Sequence, residues 1–484
     1  MESLPTRVGK WAELIRDRKP NRAAELEALI AQSGDARDWA KLEEVLRLAV
    51  GTVAAMALAG ELQAVADEVD GREPGSAQPG RITARCPYCD DSARRHRERS
   101  RELKSTIGEL TFTRTEYHCI CGHVFAPADE VIGLRDGQRM SFEMLRLSEK
   151  YGADSASFAA AATTFKDWID QENGGSPSSS AIREHVVARA EELDRMTAEE
   201  IRQLLRDSRS VPLLPWAGGP EDTLVIEADG GRSRMREPGG TAWREPKLGG
   251  LYLLRDRTEK PPSKAEAERG LPGRGIVTRC LEVARMGHWE ESGFAGEMYL
   301  QAVRMGLHRV GRVVILGDGA DWIKYLKEAY FPDAIQILDY WHAMEHICEP
   351  GRLVFGTNEI AFTEWRHERG AELMAGDVDA VCRALTNLTR RRKIAGKREE
   401  LKEKAKECRA YLTNHRDFLQ PAAFRAAGLP IGSGFIEGRI RTVLQARAKR
   451  PGMRWTNEGL QAVLRVRTHL RNEPYLPTEM RQSA

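Results

Sequence analysis

Residues 312–347 read RVVILGDGADWIKYLKEAYFPDAIQILDYWHAMEHI and contain two short apolar runs, each of which ends at an aspartate and leads into helical spacing. Earlier in the chain, DTLVIEADGG at 222–231 and KLGGLYLL at 247–254 have the same β-prone composition. Short buried strands that alternate with helices are typical of an α/β domain. The sequence therefore predicts an α/β core around these segments.

The rest of the chain differs in composition on either side of this core. Gly-, Pro- and Ser-rich breaks, together with changes in apolar periodicity, mark the boundaries. We predict six segments, in chain order a helical N-terminal unit (1–75), a cysteine-containing ribbon (76–135), a helical segment that resembles a helix-turn-helix or a plain helical hairpin (136–215), the first part of the core (216–345), a charged helical stretch (346–427) and the last part of the core with a basic tail (428–484).

The overall composition excludes several classes of protein. The chain has 484 residues, which corresponds to about three domains. Its 41% apolar and 30% charged residues are ordinary for a globular protein and exclude collagen, coiled coil and wholesale disorder. Lys and Arg number 74 and Asp and Glu 72, so the net charge of +2 predicts no partner by itself.

Signals for membrane insertion and secretion are weak. The best apolar run, LAVGTVAAMALAG at 48–60, is shorter than the roughly 18 residues that a membrane helix needs. The first residues, MESLPTRVGKW, lack the apolar segment of a signal peptide. We expect no membrane association and a cytosolic, reducing compartment, where the eight cysteines are thiols or metal ligands.

Four of these cysteines lie close together in the sequence. Cys86 and Cys89 form CPYC, in which a two-residue gap lets one tight turn bring both thiolates to one ion. Cys119 and Cys121 form CICGH about thirty residues later, with β-prone sequence between the pairs. Four sulfur ligands predict a tetrahedral structural zinc ion, which stabilises a unit too small for a core of its own.

The second cysteine pair departs from the usual spacing, because only Ile120 separates the two thiols. His118 or His123 is therefore an alternative fourth ligand. Gly122 follows the pair at a point where a chain folding round a metal often needs a positive φ.

Three acidic residues are candidates for a second metal site. Asp229 and Asp318 each end an apolar strand, and Glu437 lies in GSGFIEGRIR at the predicted start of a helix. Strand ends face the crevice where α/β sheets bind ligands, and three carboxylates there could hold two Mg²⁺ or Mn²⁺ ions. There are three rival ligands: Glu227 on the same strand face as Asp229, Asp321 at a helix start, and Asp339.

The order of these motifs resembles bacterial insertion-sequence transposases of the DDE class, closest to the ISKra-type group. The matching stretches cover most of residues 80–470 and include CPYC with YHCICGH, VIEADGG, REPKLGGLYLL, VILGDGADWIKYLKEAYFPDAIQILDYWHAMEH and IGSGFIEGRIRTVLQARAKRPGMRW. The resemblance implies that Asp229, Asp318 and Glu437 are the catalytic acids. It also implies accessory roles for Asp339 and His342, which match the Asp-x-x-His signature of mutator-like and hAT-like transposases.

The resemblance implies a fold and partners as well. It implies an RNase H-like catalytic core with an all-helical insertion between the second and third acids, preceded by a zinc ribbon. The expected partner is double-stranded DNA, both the terminal inverted repeats and the target, and the expected state is a homo-oligomer on paired DNA ends. A cytoplasmic, nucleoid-associated bacterial protein follows from this role.

Basic residues surround the third acid. Residues 436–471 hold nine Lys or Arg against two acids, which would draw phosphates towards the acid site. A solvated helix face is the alternative. The predicted DNA contacts in this region are Arg439, Arg441, Arg447, Lys449, Arg450 and Arg454.

Several aromatic residues near the acids have more than one interpretation. Trp341 and Trp365 could stack on a base unpaired at the cleavage point, although most tryptophans belong to a core. His342 and His346 lie four residues apart on one helical face and could bind a metal, although core or DNA-facing positions are more common.

Two other functions are compatible with the sequence. An RNase H-like nuclease that cuts without transposing would use the same metal site. A catalytically silent zinc-ribbon DNA-binding protein derived from a transposase would need no intact acids, and the presence of acids on all three expected elements argues against it.

Overall fold

The computed structural model describes residues 16, 23–24, 27–28, 39–73, 80–169, 176–261, 264, 274–390 and 397–476. The chain is a mixed α/β protein of two compact units, divided between His185 and Val186. Four parts of the predicted organisation lie outside the described residues. They are most of the helical unit before residue 39, the Gly-containing stretch at 170–175, residues 391–396 of the charged helical stretch and the end of the basic tail.

A long helix and a four-stranded antiparallel sheet form much of the first unit. The helix α1 spans Trp39–Asp70, and the sheet has the order β1-β2-β3-β4. Leu103, Leu110 and Phe112 of the central hairpin pack with Ala55 and Ala66 of the helix. The strands are β1 (Thr83–Arg85), β2 (Ser92–Ser105), β3 (Gly108–His118) and β4 (Val124–Phe125).

Part of α1 also passes a length and composition test for a membrane helix. The segment Ala49–Asp70 is 22 residues long, so the apolar run at 48–60 belongs to a longer candidate than its own length indicated. Polar residues of this segment bond to β3, because Gln63 exchanges two hydrogen bonds with the backbone of Thr113 and Asp70 accepts one from Thr115 N. Among the described residues it is the one candidate, which is weak evidence for a membrane span.

Four further helices complete the description of this region. Serine hydroxyls cap three of them, with Ser178 accepting a hydrogen bond from Ala181 N. The last helix is 28 residues long and crosses the boundary between the units. The helices are α2 (Pro127–Ile132), α3 (Phe142–Asp154), α4 (Phe158–Trp168) and α5 (Ser179–Arg206).

A five-stranded sheet forms the centre of the second unit. Its order is β11-β8-β5-β12-β13, and β8 alone runs against the other four strands. Two small hairpins, β6 with β7 and β9 with β10, lie outside it. The described strands are β5 (Thr223–Gly230), β6 (Ser233–Glu237), β7 (Gly240–Arg244), β8 (Lys247–Leu253), β9 (Arg257–Lys260), β10 (Arg274–Val277), β11 (Leu281–Arg285), β12 (Arg312–Gly317) and β13 (Ile335–Leu338).

Helices follow the strands in the order that the sequence predicts. Between β13 and Gly434 the described residues contain helices but no strand. A π-helical stretch, Ile440–Gln445, follows the short helix that carries Glu437. The helices are α6 (Phe294–Arg304), α7 (Asp321–Tyr330), α8 (Tyr340–Phe355), α9 (Glu359–Met374), α10 (Val378–Thr389), α11 (Arg398–Asn414), α12 (Pro421–Ala426), α13 (Gly434–Arg439) and α14 (Asn457–Asn472).

The two faces of β5 have different chemistry because side chains alternate along a strand. Leu224, Ile226 and Ala228 join an apolar core with residues of α6 and α7. Glu227 and Asp229 point to the other face, where Glu227 meets the backbone of α13. One face of the strand therefore stabilises the sheet, and the other carries the acidic residues.

A buried ion network joins three elements of the second unit. Glu297 of α6 accepts hydrogen bonds from Arg285 at 2.7 and 2.9 Å and from Arg465 at 2.7 Å. Burial opposes ionisation of Glu297, but Arg285 and Arg465 outweigh it and hold the pKa of this carboxyl below its ordinary value. Arg285 and Arg465 therefore share Glu297 as a hydrogen-bond acceptor.

Replacing Glu297 by alanine is expected to lower the free energy of unfolding by about 3–5 kcal/mol, because it removes the buried carboxylate that Arg285 and Arg465 share and leaves both guanidinium groups to the partly exposed carboxylate of Asp194. Urea denaturation monitored by tryptophan fluorescence measures the change. Glu399→Gln is the matched control, since it breaks an exposed pair with Lys402 that contributes little to stability. Equal losses in the two variants would contradict the role of the network.

Candidate functional site

Asp229 and Asp318 lie at the ends of neighbouring parallel strands. The pairing of β5 with β12 extends to Glu227 opposite Leu316, and both aspartates come two residues after this last pair. Gly319 has a φ of +88°, which allows the chain to turn immediately after Asp318. The structure thus brings two of the three predicted acids together at the carboxyl edge of the sheet.

The charge of this pair is not neutralised by basic side chains. Neither aspartate forms an ion pair within the part of the chain that the structure describes, although backbone N–H groups of Gly230 and Ala320 each donate to one of them. Burial and the nearby charge of Asp318 raise the pKa of Asp229 from its ordinary value of 3.8 to about 6. Such a pair provides the electrostatic conditions under which a cation binds.

Without a cation, ionised Asp229 is expected to destabilise the folded protein. A carboxyl whose pKa is higher in the folded than in the unfolded state binds more protons when folded, so its unfavourable contribution is present above pH 6 and disappears below pH 4. The shift corresponds to an upper bound of roughly 3 kcal/mol. Asp229→Asn should therefore be more stable than the unsubstituted protein at pH 7, by an amount that shrinks towards pH 4.

Urea denaturation from pH 4 to 8, without added divalent cation, measures this difference. The control is Asp321→Asn, which removes an exposed carboxylate at the start of α7 and should change stability by less than about 1 kcal/mol at any pH. A stability difference for Asp229→Asn that does not vary with pH would refute the electrostatic account of this residue.

Glu437 lies in the first turn of α13, at the helix start that the sequence predicts. Its side chain is 49% exposed and lies 3.6 Å from Arg441. Partial burial and the charge of Asp339 raise the pKa of Glu437, against opposing effects from Arg441 and, to a smaller extent, His342. The carboxylate oxygens of Asp229, Asp318 and Glu437 do not all lie within 4.8 Å of one another in this structure.

Asp339 has a structural position at the edge of the same sheet. It is buried, it caps α8 by accepting from Trp341 N at 2.6 Å and His342 N at 3.2 Å, and it accepts from Ser433 N at 2.9 Å. The Ser433 hydroxyl also donates to it. Asp339 therefore ties the glycine-rich loop before Glu437 to the end of β13, which agrees with an accessory rather than a ligand position.

Glu227 is explained by its contacts and is not a free ligand. Its Oε1 accepts from the hydroxyl of Tyr252 at 2.8 Å, and its Oε2 accepts from Ile436 N at 3.0 Å. Burial raises the pKa of Glu227 to about 7. The sequence identified Glu227 only as a rival of Asp229; it gave no signal for the contact with α13.

His342 and His346 contact each other beside Asp318. Their Nε2 atoms are 3.2 Å apart, and both rings pack near Tyr411 of α11. The Tyr411 hydroxyl donates to the backbone oxygen of Asp318 at 2.7 Å. Burial and the neighbouring His342 lower the pKa of His346. These contacts tie α8 and α11 to the strand end that carries Asp318.

Trp341 and Trp365 occupy different environments. Trp365 is buried in the apolar core of α8 to α11 and packs against Phe355 and Phe362, as its interpretation as a core residue predicts. Trp341 is 37% exposed and lines a cavity of about 670 Å³ between α8 and α9.

The basic residues near Glu437 fall into two groups. Arg447 is 2% exposed and stacks on Trp455 at 4.7 Å, and Arg439 pairs with buried Glu282 at 3.1 Å. The prediction that these two arginines contact phosphates is wrong, because their guanidinium groups are engaged within the protein and stabilise the fold. The remaining four are exposed and keep their predicted position on the surface: Arg441, Lys449, Arg450 and Arg454.

The first unit contains a separate cluster of four cysteines. The Sγ atoms of Cys86 and Cys121 are 3.6 Å apart, and those of Cys89 and Cys119 are 3.4 Å apart. Four sulfurs at a Zn–S distance of about 2.3 Å would be about 3.8 Å apart in a tetrahedron, so the residues fit a metal ion such as zinc. Among the described residues, this is the one group of at least three potential ligands whose donor atoms all lie within 4.8 Å.

The backbone round the cysteines is folded for such a group. Gly122 has the predicted positive φ, at +89°, and its N–H donates to Cys119 O. Burial opposes ionisation of the Cys86 thiol, but backbone N–H groups of Tyr88 and Cys89 outweigh it and lower its pKa to about 7. His118 and His123 are not members of the group. The His123 ring stacks on Tyr88, and its Nδ1 lies 3.3 Å from Cys121 Sγ, so His123 contacts the cluster from its edge.

Comparison with known proteins gives a partial match. Residues 299–475 match an uncharacterised protein family (UPF0236). The matched region includes Asp318, Asp339, His342 and Glu437, whereas Asp229 and the four cysteines precede it. No curated protein matches the chain.

Proposed function

We propose that this protein is a DDE-class DNA transposase of the ISKra type. The observation that carries the proposal is the pair of adjacent strand-end aspartates, Asp229 and Asp318, which form no ion pair with a basic side chain among the described residues. Two carboxylates that repel each other at a sheet edge are suited to holding Mg²⁺ or Mn²⁺. Glu437 is the proposed third ligand, and it would complete the site when cations bind.

The architecture of the second unit supports the same proposal. When its strands are numbered in chain order, the five-stranded sheet has the order 3-2-1-4-5 with the second strand reversed. This arrangement is the one expected of an RNase H-like core and supports the proposal. Helices separate the second aspartate from the glutamate, where the resemblance to hAT-like and mutator-like transposases leads us to expect an insertion. We infer that α8 to α12 are this insertion.

Each group of residues has a role in this proposal. Asp229, Asp318 and Glu437 would hold two cations, which supply Lewis-acid chemistry at a phosphodiester. Arg441, Lys449, Arg450 and Arg454 would bind phosphates of double-stranded DNA, since they are exposed and close in sequence to Glu437. The cysteine cluster would hold zinc in a ribbon that, with α3 to α5, binds the inverted repeats.

The test uses DNA that flanks the protein's own gene. Full-length protein, Mg²⁺ and this DNA should give nicks at the element boundary, and the freed 3′ hydroxyl should then join to a second duplex. A chelator added before the cation should prevent both products. Nicks without joining would favour the nuclease, and binding without nicks would favour the catalytically silent DNA-binding protein.

A further inference from the structure

The helix that carries Glu437 is capped from another part of the chain. Ser433, the residue before α13, makes no side-chain capping bond to this helix, and its hydroxyl donates to Asp339. The N–H of Ile436, which would otherwise lack a partner within the helix, donates to Glu227 Oε2 at 3.0 Å. The acceptor therefore comes from the central strand β5.

Glu227 occupies this position at a cost in stability. It is 1% exposed, and burial raises its pKa to about 7, so the charged form is disfavoured where it stands. Tyr252 donates to the other carboxyl oxygen at 2.8 Å and fixes the orientation of the group. Both acceptor oxygens are thus used, one for orientation and one for the backbone of α13.

The surroundings leave α13 little freedom to shift. Phe435 lies directly over Gly250, where a Cβ atom would come within 2.2 Å of the ring, and its ring contacts that of Tyr252 at 5.0 Å. Glycine at 250 therefore permits the helix to approach the sheet closely. The hydrogen bond from Ile436 to Glu227 lies at this close contact.

We propose that Glu227 is a positioning residue, which sets the place of Glu437 relative to Asp229. Glu227 and Asp229 share one face of β5 and are two residues apart, and Ile436 directly precedes Glu437. One hydrogen bond therefore connects the strand of the first acid to the helix of the third. The inference rests on the proposed function, because it assigns Glu437 to the catalytic site.

Two substitutions separate the hydrogen bond from the volume of the side chain. Glu227→Gln can still accept from Ile436 N through its carbonyl oxygen and donate to the Tyr252 hydroxyl, so cleavage should remain at the wild-type rate. Glu227→Leu removes both contacts and should reduce the cleavage rate by about 10- to 100-fold, because a small misplacement of a catalytic group has such effects. DNA affinity should not change, and the Mg²⁺ concentration for half-maximal rate should rise.

Tyr252→Phe is the matched control, since it removes the other contact of Glu227 and leaves the Ile436 bond in place. It should cut at close to the wild-type rate. If it is as impaired as Glu227→Leu, the buried pair matters only for packing and the positioning role is overturned. Glu227→Met, which has a similar volume, replaces the leucine variant if that variant does not fold.

Hydrogen exchange tests the anchoring without reference to activity. Amides of residues 433–440 should exchange faster in Glu227→Leu than in the unsubstituted protein, and at the unsubstituted rate in Glu227→Gln. Unchanged protection in Glu227→Leu would overturn the inference even if cleavage is impaired. If the unsubstituted protein cuts no DNA, the proposed function fails, whereas the exchange result still decides whether Glu227 anchors α13.

Discussion

Asp318→Asn is expected to reduce Mg²⁺-dependent cleavage of the element-end DNA by a factor of about 10³ or more, because a cation held by this carboxylate contributes several kcal/mol to the transition state. Asp318 follows β12 directly, next to Asp229 on the neighbouring strand. Asparagine keeps the size of the side chain and the carbonyl that accepts from Ala320 N, so the fold and DNA affinity should be preserved. Cleavage assays on labelled duplex, with binding measured in parallel, give both quantities.

Asp321→Asn is the control for this substitution. Asp321 lies three residues further along the chain, is exposed and belongs to the first turn of α7. It should cut at nearly the wild-type rate. If Asp321→Asn loses cleavage and Asp318→Asn retains it, the catalytic role belongs to Asp321, which the sequence also offers as a metal ligand.

The second large effect is expected at the cysteine cluster. Purified protein should contain one zinc ion per chain, and Cys119→Ser should lose it together with the folded structure of the ribbon, because zinc binding of this kind contributes about 10 kcal/mol or more to folding. Elemental analysis and the thermal unfolding of the first unit measure the two effects. The large size follows from the small apolar cluster round the cysteines, which consists of Cys86, Ala93, Tyr117 and Cys119 with Ala84 and Phe125 at its edge.

Two controls define the ligand set of the cluster. Cys348→Ser replaces a cysteine of the second unit and should retain one zinc ion. His123→Ala should also retain it, since the four Sγ atoms form the group without His123, whose Nδ1 lies 3.3 Å from Cys121 Sγ. Full zinc content in Cys119→Ser would contradict the four-cysteine site. Loss of zinc in His123→Ala would favour the alternative ligand that the spacing of Cys119 and Cys121 suggests.

The sequence contained enough information to predict the strand-end acids. Apolar runs such as TLVIEAD and VVILGD are local signals, and an aspartate at the end of a parallel strand is placed by the strand itself. Glu437 has no such local signal, because a short helix after a glycine-rich loop is common. Its assignment depended on resemblance, and in the structure the oxygens of the three carboxylates do not all lie within 4.8 Å of one another.

Partners that are distant in sequence explain where the predictions fell short. A count of basic residues cannot show that Arg447 stacks on Trp455 or that Arg439 pairs with Glu282, since these contacts form only in the folded chain. The contact between Glu227 and Ile436 spans 209 positions and involves a backbone N–H, so the side-chain pattern carries no trace of it. The length of α5 has a different explanation. The prediction of a helix-turn-helix or helical hairpin over residues 136–215 does not define where its last helix ends, and the helical composition continues over the 28 residues of α5.

The central claim is that the carboxylates of Asp229, Asp318 and Glu437 share divalent cations. Anomalous diffraction from crystals of the full chain with its end DNA and Mn²⁺ tests it most directly, because manganese positions are located independently of the protein coordinates. We predict manganese at the edge of the sheet, in contact with oxygens of all three side chains. Manganese bound elsewhere, or bound at Asp229 and Asp318 while Glu437 stays out of contact, would contradict the account.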